Sequence, residues 1–195
     1  MTFNRLAASI LIFPAALLWS QAPTVDRVGF PTNYETLFER LYTFDRPDNR
    51  TVRTIYGNAA AASVKGDTMN FAYGSVLVME SWRALQTAQG LPILDANGRF
   101  QKDPAAAPGL FVMRKERGFG EAYGANRNGE WEYVAYRPDG TYLNRPETTA
   151  SCAVCHLQAG ALPDWTFRVR PLYLQEGSGA NVDGVINQRL QIRPR

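Results

Sequence analysis

Residues 152–156 read Cys152-Ala153-Val154-Cys155-His156, and they hold both cysteines and the only histidine of a 195-residue chain. No other stretch restricts the fold as much, because Cys-x-x-Cys-His is the attachment signature of a c-type haem. Two thiols at this spacing add to the two vinyl groups on one porphyrin edge. The histidine that follows is carried under the ring, where its imidazole takes the proximal position on iron. Cys152 and Cys155 are therefore read as thioether anchors of one haem c and His156 as the ligand of its iron. Such a chain must build a slot for one flat macrocycle.

Three rival readings of the motif are weaker. A disulfide between Cys152 and Cys155 closes a very small loop and leaves His156 without a purpose. A redox-active Cys-x-x-Cys follows a strand and opens a helix in a βαβ pattern, whereas the run from Pro138-Asp139-Gly140 to Arg145-Pro146 is turn-like. A zinc site needs four ligands, or three with an open position. Five consecutive residues cannot easily wrap a tetrahedral ion, and the chain has no other Cys or His to help.

The start of the chain reads as an export signal over residues 1–22. Met1 to Arg5 gives a short, singly charged lead, Leu6 to Trp19 is apolar, and Ser20-Gln21-Ala22 is a small-residue cleavage site. The apolar run is shorter than the roughly 20 residues of a membrane span. Pro23 is an awkward residue just after a cut, so an uncleaved N-terminal anchor is the alternative. Export to the periplasm fits a haem motif, and haem attachment consumes thiols that would otherwise be oxidised there. The remainder suits one domain, residues 23–176, followed by a loosely ordered polar tail over 177–195. With 21 basic and 18 acidic residues, scattered without a basic block, nothing argues for nucleic acid.

Pattern then suggests elements. Thr32 and Glu35 form a capping box ahead of a helical stripe of Tyr34, Leu37, Phe38, Leu41 and Tyr42, which Asp45-Arg46-Pro47 should end. Thr51 to Tyr56 alternates, and Asn58 caps a short helix from Ala59 to Val64, with a turn at Lys65-Gly66-Asp67. Ser75 to Trp82, Leu110 to Lys115 and Glu130 to Tyr136 are strands separated by Asp95-Ala96-Asn97-Gly98 and Gly118-Phe119-Gly120. Asp164 to Phe167 is a further short strand. Strands without long intervening helices argue for an antiparallel sheet rather than βαβ units.

The order of Arg53-Thr54-Ile55-Tyr56-Gly57-Asn58, Gly74 to Glu80, Gly109 to Met113, Gly129-Glu130-Trp131-Glu132-Tyr133, then Cys152 to His156 with Asp164-Trp165-Thr166-Phe167, resembles the cytochrome P460 family. The resemblance runs from near Pro31 to Arg168. It implies an α+β, mainly β fold: a large antiparallel sheet with flanking helices and one haem c packed against one face. It also implies an exported homodimer with a redox partner protein. Members named P460 oxidise hydroxylamine, or its product nitric oxide, at a five-coordinate iron. Relatives called cytochrome c′-β bind diatomic gases. In P460 proper a lysine of the Gly-led strand is crosslinked to the porphyrin, and here that position is Met79. Lys115 lies on another strand, and Lys65 and Lys102 lie in turns. An ordinary haem c without the crosslink is expected.

The distal side separates the functions. If Met79 or Met113 reaches iron, the haem is His/Met six-coordinate and the protein an electron carrier. If apolar side chains cover that side, the iron is five-coordinate and takes nitric oxide, carbon monoxide or hydroxylamine. Both methionines also suit plain core packing. Leu77, Met79 and Ser81 share one strand face, as do Phe111 and Met113, and either set could line the haem. Oxidising hydroxylamine releases protons, so an enzyme needs an acceptor carboxylate. Glu80 and Glu132 are the catalytic candidates, since an acid within an apolar strand is costly unless used or paired. A sheet face open to water, or pairing with Arg114 or Arg83, is the bland alternative for them. A haemless binding module, with the motif incidental, is the remaining reading.

Overall fold

The computed structural model describes residues 21–64 and 70–167. The expected export signal (all but residues 21 and 22), the tail expected over 177–195 and the turn expected at Lys65-Gly66-Asp67 lie outside them. The chain forms six antiparallel strands in sequential order: β1 (Glu39–Arg46), β2 (Thr51–Gly57), β3 (Val76–Arg83), β4 (Gly109–Lys115), β5 (Trp131–Tyr136) and β6 (Tyr142–Asn144). Three short α-helices flank them, α1 (Tyr34–Leu37), α2 (Ala59–Ala62) and α3 (Ala150–Leu157). The expected antiparallel sheet with flanking helices is thus present. Among the described residues no helix is long and apolar enough to cross a membrane.

Register divides the sheet into two faces, because successive side chains of a strand point to opposite sides. Tyr42, Ile55, Met79, Phe111 and Ala135 are register partners across β1 to β5 and share the first face. Leu77, Met113 and Tyr133 form the next row on it. Here Leu77, Met113, Tyr133 and Trp131 make a core with Tyr123 and with Ala153 of α3. The second face carries Val78, Val112 and Val134 in register, packed with Val28 and Tyr34 from the N-terminal segment.

Two elements differ in kind from the sequence pattern, the first of them at the start of the sheet. The helix expected from Tyr34 to Asp45 stops at Leu37, and β1 takes over at Glu39. Thr32 and Glu35 do not form a capping box; Asn33 occupies the cap position at φ 56° with no side-chain bond. The apparent stripe is divided between two surfaces. Tyr34 is buried on the second face, whereas Leu41 packs against the core of the first. A register shift between Arg40 and Tyr42 frees Leu41 from strict alternation, which mimics helical spacing. Pairing of Tyr42-Thr43-Phe44 along β2 outweighs the local preference, as it does for β-branched and aromatic residues beside a partner strand.

The short helix α2 matches its expectation, whereas β6 and the segment after Gly160 do not. Asn58 caps α2, accepting the Ala61 amide at 3.0 Å, and its amide nitrogen donates to the Gly74 carbonyl at 2.7 Å. The short β6 falls inside the run read as turn-like. Asp164 to Phe167 is not a strand: Asp164 and Trp165 adopt φ of 56° and 58°, in the left-handed region where no strand can continue.

Candidate functional site

The Cys-x-x-Cys-His motif lies on α3, and helical spacing explains why it works as a unit. Side chains three and four apart are neighbours on a helix surface. Cys155 and His156 therefore both flank Cys152. The opposite side of α3 is anchored: Ala153 is fully buried, and Asn128 donates to its carbonyl at 2.8 Å. A 3₁₀ turn, Pro146–Thr148, precedes α3. Among the described residues no parallel strand feeds it, which removes the thioredoxin-like reading.

The motif opens on a cavity of about 540 Å³ between α3 and the first sheet face. Its walls are largely apolar: Tyr42, Phe44, Ile55, Leu77, Met79, Phe111, Met113 and Tyr133 line it together with Cys152, Cys155 and His156. Both alternating sets, Leu77 with Met79 and Phe111 with Met113, reach it, so the choice between them dissolves into one continuous wall. This volume lies in the range of small-molecule and cofactor sites.

The donor set fits a c-type haem. Both thiols are free, Cys152 half-buried and Cys155 exposed. Burial pushes the Cys152 thiol pKa up, chiefly by desolvation, which keeps it protonated. The His156 ring approaches Tyr133 with centroids 4.8 Å apart, and Phe167 lies 5.3 Å away on another side. His156 Nδ1 is 2.7 Å from the Trp165 carbonyl oxygen, so that nitrogen carries the proton and donates it there. Nε2 is left with its lone pair, which is the state a metal-binding imidazole needs. Burial also lowers the His156 pKa, against the opposing pull of the Trp165 carbonyl. Among the described residues no group of three or more His, Cys, Asp and Glu is placed to hold a bare metal ion.

The two glutamates stand elsewhere. Glu80 follows Met79 on β3 and so points to the second face. It accepts from Tyr34 Oη at 3.1 Å and from Lys102 Nζ at 3.0 Å. Glu132 precedes Tyr133 on β5 and is 1% exposed. It accepts from the Arg27 guanidinium and, at 3.2 Å, from the Gly120 amide. Neither lines the cavity. Both are paired, with Lys102 and Arg27 rather than with Arg83 or Arg114. Among the described residues that line the cavity the carboxylate is Asp48, which Arg46 grips at 2.5 Å. That bond, more than any other influence, holds the Asp48 pKa below its ordinary value.

Two features of the site escaped the sequence pattern. Arg53 shares β2 parity with Ile55 and so faces the cavity. Its Nε is buried and has no hydrogen-bond partner among the described residues. Desolvation above all, then the nearby Arg46, lowers the Arg53 pKa to about 10. Strand alternation alone could have placed it. The Trp165 carbonyl had no sequence signal, since a backbone acceptor is invisible to residue type.

The sequence model of one protein family, cytochrome P460, matches residues 31–168. No curated protein matches the chain significantly.

Proposed function

The chain belongs to the cytochrome P460 family, and on that premise we propose that it is an exported monohaem c-type cytochrome. It binds small nitrogen species, nitric oxide or hydroxylamine, at a five-coordinate iron. Membership brings haem c and iron with it. The thioether bonds, the single haem and the open sixth position belong to the proposal. Cys152 and Cys155 hold the porphyrin edge, and His156 Nε2 is the iron ligand. Arg53 is the counter-ion for a porphyrin carboxylate or another anion in the cavity. When bound, the haem supplies an iron position for a small ligand and a store for an electron.

The observation that carries this reading is the shared cavity. Both thiols, the imidazole and the apolar face of Met79 and Phe111 line one space. No lysine is among the described residues that line it. Lys102 is bonded to Glu80 and Lys115 to Asp164. This supports a haem without a lysine crosslink. Asp48 is a weak proton acceptor because Arg46 stabilises its ionised form. That favours binding of the ligand over rapid proton-coupled oxidation. Export, a homodimer and a redox partner protein complete the proposal on the strength of the family.

Met79 favours one second reading. Its side chain lines the cavity, and a thioether on iron would give a six-coordinate electron carrier. Spectra of protein made with the haem-attachment machinery test both. A pyridine haemochrome should report one covalent haem, and the ferrous form should take up carbon monoxide or nitric oxide at once. A far-red sulfur-to-iron band in the ferric form, lost in Met79→Leu, would replace the first reading by the second. Absence of covalent haem would end both.

A further inference from the structure

We propose that the buried Lys115–Asp164 pair is a positioning device: it sets the hydrogen bond that His156 Nδ1 donates to the Trp165 carbonyl, and through it the donor strength of the imidazole. The inference rests on the reading of His156 as the iron ligand.

The acceptor of that hydrogen bond sits in unusual backbone. Asp164 and Trp165 are consecutive non-glycine residues at φ 56° and 58°. L side chains seldom adopt this conformation, and two in a row persist only where surroundings over-determine them. The surroundings here do so. The Asp164 carboxylate accepts from Lys115 Nζ at 2.7 Å and from the Phe71 amide at 2.8 Å. Its backbone carbonyl accepts from the Trp131 indole at 3.1 Å. The Trp165 amide donates to the Gly160 carbonyl at 2.9 Å.

Burial marks this pair as more than a surface contact. Lys115 is 9% exposed and Asp164 5%. Burying two charges is costly, and such a pair seldom adds net stability over apolar replacements. Its output is geometric: the strained turn aims one carbonyl at Nδ1 from 2.7 Å. Gly129 completes the clamp. A Cβ there would come within 2.9 Å of Trp165 Cδ1.

The chemical consequence follows from general metal-site behaviour. A strong hydrogen bond at the far ring nitrogen gives the imidazole more anionic character and makes it a better donor to iron. A better donor favours ferric iron and lowers the reduction potential. Loosening the turn lengthens the bond, weakens the donor and raises the potential.

The test uses the haem-loaded protein, with Asp164→Asn, Lys115→Met and Lys115→Arg. Haem content, melting temperature and reduction potential are measured on each. Asp164→Asn and Lys115→Met should shift the potential upward with one covalent haem retained, and Lys115→Arg should restore it. Potentials that stay at the wild-type value while melting temperatures fall would overturn the proposal and leave a purely structural clamp. Should Asp164→Asn not fold, Lys115→Met carries the test together with its rescue by Lys115→Arg, and no upward shift in Lys115→Met counts against the device. A wild-type protein without covalent haem would instead overturn the ligand assignment beneath it. The haemochrome assay and the potential therefore report the two failures separately.

Discussion

Replacing Glu132 by Gln separates a structural acid from a catalytic one. The carboxylate is 1% exposed, and it accepts from the Arg27 guanidinium and the Gly120 amide. Gln keeps the shape and one acceptor oxygen but loses the charge and turns an NH₂ towards Arg27. A hydrogen bond to a charged group contributes about 1.5–3 kcal/mol. The loss here falls at the lower end, because the Arg27 side chain is 43% exposed and is rehydrated when its partner is neutralised. Arg27 also rests on the Phe119 ring, 4.4 Å from its centroid, and keeps that contact. About 1–2 kcal/mol of destabilisation is expected, which lowers the melting temperature by roughly 2–8 °C for a domain of this size. Thermal melts of the haem-loaded protein measure it, alongside titration with carbon monoxide or nitric oxide. Ligand affinity should not change, since Glu132 is on the sheet face away from the cavity. Unchanged stability with a tenfold or greater loss of ligand binding or turnover would refute the reasoning, because the acid would then act in the site.

Alkaline pH should unfold the protein from about pH 10 upward. Burial, more than any other cause, raises Tyr123 to about 12 and raises Tyr34, Tyr133 and Tyr136 above the ordinary tyrosine value as well. Above the ordinary tyrosine value near 10 the unfolded chain releases protons that the native state retains, so stability is full below pH 10 and falls as pH rises towards 12. Melts between pH 8 and 12 check this, and a flat profile through pH 11.5 contradicts it. Asn58→Ala removes the cap of α2 and two further bonds, to the Val76 amide at 3.1 Å and the Gly74 carbonyl at 2.7 Å. It should cost about 1–2 kcal/mol in urea unfolding.

Much of the sheet could be read from the chain because its signals are local. Ser75 to Trp82 and Glu130 to Tyr136 are rich in Val, Trp and Tyr and are bounded by Gly and Asn-Gly, and they became β3 and β5. The stretch from Tyr34 to Arg46 misled for the opposite reason. Its fate depends on β2 as partner and on a register shift at Leu41, both tertiary facts. Three-residue β6 is held at the edge by β5 and has too little pattern of its own.

The site divides along the same line. Cys152, Cys155 and His156 are contiguous, so one turn of helix brings them together and the motif alone places them. Strand parity settles the glutamates: a wall containing Met79 and Tyr133 excludes the adjacent Glu80 and Glu132, because neighbouring residues of a strand face opposite sides. The same parity brings Arg53 in beside Ile55. The support of the imidazole follows no such rule. Asp164 meets Lys115 across 49 residues and the Phe71 amide across 93, and what it presents to His156 is a backbone oxygen of the next residue. Residue types that bear the reactive atoms are selected for local chemistry and leave a signature. Residues that aim those atoms are selected for distance and angle, which only the folded chain reveals. If the clamp works as argued, two cytochromes sharing the same five-residue motif will differ in potential according to what lies opposite the imidazole's second nitrogen.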